Sequence, residues 1–215
     1  MYGYGKIETP FNRDMNGTKK LIEGSYRDKT VEFLAPCQWY GTEKVDGTNI
    51  GVVWDGHSVS YQGRTEKSQI PAKLVEALDV LFNGNVNEEI FEQMFGEKQV
   101  ILFGEGYGKG IQKKGAEYRD DCSFILFDIY FPESSLWLKR DAIESIATAL
   151  GIDVVPIIFK GTLPQAVEFV KGKPNSVVAM PNESTIEGIV CKPMVDLHDR
   201  FGNRVITKVK VCDFE

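Results

Sequence analysis

The sequence predicts an α+β fold made of antiparallel sheets with helices packed outside them. Runs of apolar and β-branched residues of strand length recur along the whole chain. Most of these runs follow one another through turns, whereas parallel strands would need a crossover of roughly a dozen residues or more. Helical periodicity appears in only four stretches. We therefore expect neighbouring strands to pair in antiparallel fashion.

Seven segments are predicted to form strands, and one of them contains a hairpin. Asp55-Gly56 separates Val52-Val53 from Val59–Tyr61, and Asp-Gly between apolar runs is a strong hairpin turn signal. The segments are, in chain order, TVEFLA (30–35), NIGVVWDGHSVSYQ (49–62), QVILFGEGYG (99–108), FILFDIYF (124–131), VVPIIF (154–159), EGIVCKPMV (187–195) and RVITKVKVCDF (204–214).

The four stretches with helical spacing are predicted to form amphipathic helices. The first places Leu74, Leu78 and Leu81 on one stripe. The last two are followed by Gly151 and Gly172, and glycine is typical of helix ends. The stretches are IPAKLVEALDVLF (70–82), EEIFEQMF (88–95), KRDAIESIATAL (139–150) and LPQAVEFVK (163–171).

The composition is that of an ordinary globular protein. The 215 residues are 42% hydrophobic and 26% charged, enough for one large domain or two small ones. No repeat or low-complexity linker marks a boundary, so we expect a single domain over residues 1–215. No apolar run approaches a membrane span, and the N-terminus lacks the apolar core of a signal peptide. The sequence thus predicts a cytoplasmic protein without a membrane partner.

The cysteines carry no disulfide or metal signature. Cys37, Cys122, Cys191 and Cys212 stand far apart in sequence, with no CxxC pair. Each lies in or beside an apolar stretch, which predicts buried, reduced thiols rather than disulfides or a zinc site.

The charge balance argues mildly against a nucleic-acid-binding protein, because the formal net charge is −6. The segment KGIQKKGAEYR (109–119) is nevertheless locally basic, with Lys113 and Lys114 at its centre. A phosphate-binding surface and an ordinary solvated loop both account for this segment.

Residues suited to catalysis are concentrated in five short segments, each on a predicted strand or at its end. Glu105 lies between glycines, where a ligand can approach the backbone closely. Asp128 interrupts an apolar strand, and a carboxylate there needs a partner. The segments are KVDG with Lys44, Asp46 and Gly47, FGEGYG with Glu105, FILFDIYF with Asp128, STIEGIVCKP with Glu187 and Lys192, and VITKVKVCD with Lys208 and Lys210.

The last of these segments carries the strongest physical signal. Lys208 and Lys210 are two apart, so on a strand both ammonium groups leave one face roughly 7 Å from each other. Such a pair suits an anion such as a phosphate chain, although a solvated edge strand explains it too. Each segment alone is a weak signal, and their fixed order along the chain strengthens the case.

In that order the segments resemble the covalent nucleotidyltransferase superfamily of polynucleotide ligases and capping enzymes. The matching motifs are KVDG (44–47), FGEGYG (103–108), FILFDI (124–129), EGIVCK (187–192) and KVK (208–210). The string EKVDGTN, the following Arg64 and the Phe-Asp of FILFDI are similar to the nick-sealing, phage-type RNA ligases. The resemblance implies a nucleotidyltransferase (ATP-grasp-like) fold and an enzyme that uses ATP and Mg²⁺.

The resemblance assigns the catalytic chemistry to the lysines. Lys44 would attack the α-phosphate of ATP and form a lysyl-AMP phosphoramide, with release of pyrophosphate. A protonated amine is a poor nucleophile, and the nearby positive charge of Lys208, Lys210 and a metal would make it available. Glu105 and Glu187 are the predicted magnesium ligands, directly or through waters, and one of them would instead hold the ribose hydroxyls.

The resemblance also implies contacts to the nucleotide. Phe127 would stack on adenine, although from sequence alone packing in the core accounts for it slightly better. Glu43 would help to recognise the adenine edge. Asp46, Gly47 and Arg64 are placed at the nucleotide by the motifs that contain them.

Substrate contacts are predicted outside the lysine motifs. Asn49 lies beyond the Asp-Gly pair, and Arg64 follows the hairpin, where a guanidinium could reach a terminal phosphate or sugar. Lys113 and Lys114 are the predicted phosphate contacts of the basic segment.

The sequence thus predicts an ATP-dependent RNA ligase for RNA repair, with RNA preferred among nucleic acids. No counterpart of an appended OB domain follows Lys210, so the catalytic domain itself is expected to bind the RNA, and sealing is expected to improve at low salt or with a helper protein. A DNA ligase or another polynucleotide nucleotidyltransferase is the near alternative, and a non-catalytic nucleotide- or RNA-binding module is the farther one. The oligomeric state is left open.

Overall fold

The computed structural model describes residues 2–179 and 183–215, which form two compact units. The six-stranded unit comprises residues 2–5 and Asp46–Val155, and the four-stranded unit comprises Lys6–Val45 and the described part of Pro156–Glu215. In chain order the elements are β1 (Phe11–Arg13), β2 (Leu21–Tyr26), α1 (Lys29–Leu34), β3 (Trp39–Glu43), β4 (Thr48–Trp54), β5 (Val59–Gly63), α2 (Ala72–Phe82), α3 (Asn85–Phe95), β6 (Val100–Gly108), α4 (Gly115–Tyr118), β7 (Cys122–Phe131), β8 (Leu136–Trp137), α5 (Arg140–Leu150), β9 (Asp153–Val154), β10 (Ile157–Gly161), α6 (Leu163–Lys171), β11 (Gly188–Pro193), β12 (Thr207–Lys210) and a 3₁₀ turn (Val211–Asp213).

The six-stranded unit is built on a sheet in the order β5-β4-β6-β7-β8, with β9 added beside β7. All pairs are antiparallel except β7–β9, which is parallel. Helices α2, α3 and α5 bury their apolar faces against this sheet, and the stripe of α2 buries Leu74, Leu78 and Phe82. The predicted helices are confirmed, and so is the antiparallel α+β class.

The predicted hairpin at Asp55-Gly56 is confirmed as the β4–β5 turn. The Asp55 carboxylate accepts hydrogen bonds from the backbone N–H groups of His57 at 2.9 Å and Ser58 at 2.8 Å. Gly56 has a φ of +101°, which favours glycine. The turn chemistry of the sequence therefore fixes the register of these two strands.

The four-stranded unit is built on an antiparallel sheet in the order β10-β3-β11-β12, with the hairpin β1–β2 beside it. Helix α6 packs Leu163, Val167 and Val170 into a core shared with Trp39 and Ile189. Strand β12 is at an edge of this sheet, directly beside β11. The two strands that carry EGIVCK and KVK are thus hydrogen-bonded neighbours.

Three strand predictions need correction. TVEFLA is helical, because the Asp28 carboxylate accepts from the backbone N–H groups of Thr30 at 2.7 Å and Val31 at 3.0 Å and caps α1. VVPIIF is divided between β9 and β10 at Pro156, which cannot donate a ladder hydrogen bond. RVITKVKVCDF is a strand only over β12 and then turns into the 3₁₀ segment.

The prediction of buried thiols holds for Cys191 and is wrong for two others. Cys191 is fully buried, and burial raises the pKa of its thiol to about 12. Cys37 and Cys212 are exposed, because each lies just outside a strand, where its side chain does not enter the core. Among the described helices, none combines the length and apolar character that crossing a membrane requires.

Candidate active site

Lys44 directly follows β3, and its backbone is fixed against β11. Its N–H donates to the carbonyl oxygen of Gly188 at 3.0 Å. A Cβ atom at position 188 would collide with the carbonyl oxygen of Val209, so glycine allows β11 to approach β12 this closely. The Lys44 side chain is 25% exposed. Its amine is therefore reachable from solvent on a backbone that is held in place.

The Glu187 carboxylate contacts two lysines at once. One oxygen pairs with the Lys44 ammonium, and the other pairs with Lys210 Nζ at 2.7 Å. Lys210 lies opposite Gly188 in the β11–β12 ladder, which brings it beside Glu187. The pairing of both lysines with Glu187 was not predicted from the sequence, which treated Glu187 as a metal ligand or ribose contact and Lys210 as a phosphate contact with its charge near Lys44.

The charges of this cluster shift the pKa values of two of its members. Burial would raise the pKa of Glu187, but the adjacent charges of Lys44 and Lys210 outweigh burial and lower it below the usual value for glutamate. Burial would lower the pKa of Lys210, and the hydrogen bond and charge of Glu187 outweigh it and raise that pKa. Glu187 and Lys210 are therefore both ionised at neutral pH.

Lys208 and Lys210 lie on the same face of β12, as predicted. Thr207 and Val209, which alternate with them, are buried, whereas both lysines are half-buried. The backbone N–H of Lys208 donates to the carbonyl oxygen of Glu8 at 3.0 Å. β12 is an edge strand, but its lysines are not simply solvated, because Lys210 forms an ion pair with the half-buried Glu187.

Glu187 offers a carboxylate suited to magnesium at the Lys44 cluster. Within residues 2–179 and 183–215, no three side chains of His, Cys, Asp or Glu gather as a metal site would require. Mg²⁺ commonly binds through one or two carboxylates, retained waters and substrate phosphates, so a single carboxylate beside two lysines fits that pattern. Glu187 is therefore compatible with magnesium in the presence of a phosphate ligand.

Glu43 precedes Lys44, and its side chain is 1% exposed. One carboxylate oxygen accepts from the Ser176 hydroxyl, and the other accepts from the Val177 N–H at 2.9 Å. The Ser176 hydroxyl in turn accepts from the N–H of Ala179 at 2.8 Å. These bonds tie β3 to the segment that follows α6, and the predicted contact between Glu43 and adenine stays a prediction.

The second group of predicted residues lies in the six-stranded unit, where β4 meets β6. Asn49 is directly opposite Glu105 in this ladder. A Cβ atom at Gly47 would collide with the carbonyl oxygen of Gly106 and would meet the Glu105 side chain at 2.8 Å, which explains the glycine. The Asn49 side-chain oxygen is buried and has no hydrogen-bond partner among the described groups. Arg64 is exposed just after β5, as predicted.

The basic segment of the sequence forms a compact loop, Lys109–Asp121, which we call the basic loop. The backbone N–H of Lys109 donates to the carbonyl oxygens of Arg119 at 3.1 Å and Asp121 at 3.2 Å and thereby closes it. Lys113 and Lys114 are exposed on the loop. The loop is ordered by these contacts and leaves its central lysines open to solvent.

The basic loop also binds the backbone of the KVDG motif. The Gln112 amide donates to the carbonyl oxygen of Gly47 at 3.1 Å, and the Asp46 N–H donates to the Tyr118 hydroxyl at 3.2 Å. Tyr118 is buried. Sequence reasoning missed both contacts, because nothing in the local pattern of residues 109–119 connects them with residues 46 and 47.

Phe127 and Asp128 lie at an irregularity in β7. The ladder pairs Phe103 with Asp128 and Gly104 with Leu126, so Phe127 is the extra residue of a β-bulge. The half-buried Phe127 ring packs edge-on against Tyr4, with 5.0 Å between centroids.

The buried carboxylate of Asp128 accepts a hydrogen bond from the Tyr4 hydroxyl at 2.5 Å. The prediction that Asp128 needs a partner is confirmed. The sequence did not identify Tyr4 as that partner, because MYGYG has no periodic pattern.

The predicted site residues thus form two groups, one in each unit. The four-stranded unit holds Glu43, Lys44, Glu187, Lys208 and Lys210, and the six-stranded unit holds Asp46, Gly47, Asn49, Arg64, Glu105, Lys113, Lys114 and Phe127.

A family model described as RNA ligase matches residues 38–210, which include both groups. Three solved structures of an RNA ligase from Naegleria gruberi are similar in fold. A mutant with ATP and Mn gives a TM-score of 0.65 at 18% identity over 97% of this chain. The form with PPi gives a TM-score of 0.64 at 19% identity over 98% of this chain. A mutant with AMP and Mn gives a TM-score of 0.64 at 17% identity over 97% of this chain. The match spans only 59 to 62% of those chains.

Proposed function

The chain belongs to the RNA ligase family, and on that premise we propose that it is an ATP-dependent RNA ligase that joins a 5′-phosphate to a 3′-hydroxyl. The observation that carries the proposal is the Lys44–Glu187–Lys210 cluster, in which a reachable amine lies beside a carboxylate and a second cation. The ATP, AMP and PPi named with the solved relatives support adenylation as its first step.

In the proposed first step, the Lys44 amine attacks the α-phosphorus of ATP. A nitrogen–phosphorus bond forms, the bond to the β-phosphate oxygen breaks, and pyrophosphate leaves. Lys44 must first give up a proton to solvent and leave its ion pair with Glu187, because the nucleophile is the neutral amine. Lys210 and Lys208 then hold the negative charge of the phosphate oxygens.

Magnesium is part of this proposal, and Glu187 is the residue of the four-stranded unit that would hold it. When bound, Mg²⁺ would neutralise charge on the phosphate oxygens. Glu105 stays the second predicted ligand or the ribose contact. Stacking of Phe127 on adenine, recognition of the adenine edge by Glu43, and nucleotide contacts of Asp46, Gly47 and Arg64 also stay predictions.

In the later steps AMP passes from Lys44 to the RNA 5′-phosphate, and a 3′-hydroxyl attacks the activated phosphate with release of AMP. We propose that Asn49 and Arg64 contact the strand ends in this closure. The side-chain oxygen of Asn49 is buried and has no hydrogen-bond partner among the described groups. This supports the proposed contact of Asn49, because such an acceptor suits a hydroxyl donor of the substrate.

Replacement of Asn49 with alanine is expected to slow closure of a pre-adenylated nicked RNA by roughly 10-fold or more, because one polar contact to the reacting ends is lost. A pre-adenylated substrate bypasses the first two steps, and adduct formation with ATP should stay near the wild-type rate. Asn12→Ala, in strand β1, is the matched control. Closure by Asn49→Ala at the wild-type rate would remove Asn49 from this role.

The basic loop is the proposed phosphate-binding surface for RNA, because Lys113 and Lys114 are exposed on it. Lys113→Ala combined with Lys114→Ala should weaken RNA binding and reduce the slope of log affinity against log salt by about 1.5. The matched control is Lys19→Ala with Lys20→Ala, an exposed pair in the β1–β2 connection. Equal slopes for both double variants would exclude the basic loop from RNA binding.

Intact-mass measurement of the purified chain with ATP and magnesium tests the proposal as a whole. A covalent AMP adduct is expected, followed by its loss when a 5′-phosphorylated nick is added. Matched nicks that differ only in a 3′-terminal ribose or deoxyribose distinguish an RNA ligase from a DNA ligase. Absence of an adduct would favour the alternative that the chain is a non-catalytic nucleotide- or RNA-binding module.

A cytoplasmic location and a helper protein are also proposed on the sequence evidence.

A further inference from the structure

The connection between β11 and β12 exposes apolar side chains that the proposed chemistry does not use. Phe201 is 73% exposed, and Met194 and Val195 are 51% and 69% exposed. The connection continues the hairpin, since the N–H of Val205 donates to the carbonyl oxygen of Leu197 at 2.9 Å. We refer to its turn, Asp199–Asn203, as the hairpin tip.

The hairpin tip is held in one conformation by Asp199. Its carboxylate accepts from the backbone N–H groups of Phe201 at 2.8 Å and Asn203 at 2.9 Å, and from the Asn203 amide at 2.9 Å. These hydrogen bonds lower the pKa of Asp199, and the bond from the Asn203 side chain contributes most. Gly202 has a φ of +81°, which suits glycine in this turn. A ligand of Phe201 would therefore meet an ordered turn.

Arg200 lies over the ring of Phe201, with the guanidinium carbon 4.6 Å from the ring centroid. The two side chains form a positively charged surface, and both are exposed. Unpaired RNA bases bind to such surfaces, because every base can stack on an aromatic ring or a guanidinium plane. The Asp199 carboxylate is ionised and interacts with Arg200 as well as with the turn, and the Arg200 side chain remains exposed to a ligand.

The hairpin tip belongs to the same hairpin as the lysines of β12. Asn203 precedes Lys210 by seven positions, which is roughly 23 Å of extended chain. RNA whose end is held near Lys210 can therefore extend to the hairpin tip within the four-stranded unit. A surface that docks another protein would need apolar area to bury. The hairpin tip instead presents an aromatic ring and an arginine, and it contains no aliphatic side chain.

We propose that the hairpin tip binds the RNA substrate by stacking an unpaired base on Phe201 and Arg200. The identity of the ligand as RNA rests on the proposed function. The site adds a sequence-tolerant contact away from the reacting phosphate, which a chain of net charge −6 needs because it has few basic surfaces.

The test is equilibrium binding of a fluorescent RNA with a single-stranded end at fixed low salt. Phe201→Ala should weaken binding about 10-fold, because a stacking contact is lost. Phe201→Tyr should bind as the wild type does, and Phe201→Leu should resemble the alanine variant, since leucine is apolar but has no π face. Phe33→Ala, which removes an equally exposed phenylalanine (79%) from α1, is the matched control and should leave binding unchanged.

The outcomes separate this inference from the proposed function. Self-adenylation should be the same in all Phe201 variants, because the hairpin tip is outside the lysine cluster. Wild-type affinity in Phe201→Ala or in Phe201→Leu would overturn base stacking, and the second result would show that RNA binding does not require a π face at this position. A wild-type chain that binds no RNA would also overturn it. Lack of an AMP adduct would refute the ligase activity, while the RNA affinities would still decide on the hairpin tip.

Discussion

Lys44→Ala is expected to eliminate the AMP adduct from the intact-mass spectrum of the chain incubated with ATP and magnesium. The amine is the only group at this position that can form the phosphoramide bond, so its removal leaves no route to the covalent intermediate. The fold should persist, because Lys44 is partly exposed and Glu187 keeps its ion pair with Lys210. Circular dichroism and urea unfolding of the variant check this.

Two further variants make the assignment of Lys44 specific. Lys44→Arg should also give no adduct, because a guanidinium keeps its proton. Lys160→Ala removes an exposed lysine from β10 in the same sheet and should form the adduct at the wild-type rate. An AMP adduct on Lys44→Ala, mapped to any other residue, would show that the nucleophile has been assigned wrongly.

The parts of the fold that follow from local chemistry could be predicted. The Asp55-Gly56 turn gave the β4–β5 hairpin, because a side chain and a positive φ within a few residues determine it. Because side chains alternate between the two faces of a strand, the sequence correctly predicted that Lys208 and Lys210 share one face of β12. TVEFLA was assigned wrongly because its residues favour strands, while the cap that makes it helical comes from Asp28, outside the segment.

The parts that depend on long-range pairing could not be predicted. Glu187 pairs with Lys44 across 143 positions, which only the order of β3, β11 and β12 brings about. Tyr4 reaches Asp128 across 124 positions. The sequence could indicate that a buried carboxylate needs a donor, but it carries no local signal for which residue supplies it.

Lys210→Ala is expected to slow formation of the AMP adduct by about 100-fold or more. Loss of one preorganised cation at a transition state that gains phosphate charge typically costs this much. A second effect acts in the same direction, because without Lys210 the Glu187 carboxylate keeps Lys44 as its remaining lysine partner, and Lys44 must leave this ion pair to reach ATP. Lys208→Ala should also slow the reaction, through phosphate binding alone. Single-turnover rates at saturating ATP measure both variants.

The pH dependence tests the phosphate contact of Lys210. In the wild-type chain the lowered pKa of Glu187 and the raised pKa of Lys210 keep both groups charged from about pH 5 to about pH 10. A lost phosphate contact therefore slows Lys210→Ala at every pH in that range. We expect the defect to persist undiminished between about pH 6 and pH 9.

The matched control for Lys210 is Lys173→Ala, which breaks an exposed lysine–glutamate pair with Glu215 in the same unit. It should adenylate normally. Lys210→Arg keeps the charge and should restore part of the rate, because the guanidinium can still bind phosphate but matches the geometry of an ammonium poorly. Full activity of Lys210→Ala at pH 9 would contradict the phosphate contact, because Lys210 is still charged at that pH in the wild-type chain. Normal adduct formation at neutral pH would mean that its ion pair with Glu187 serves the fold alone.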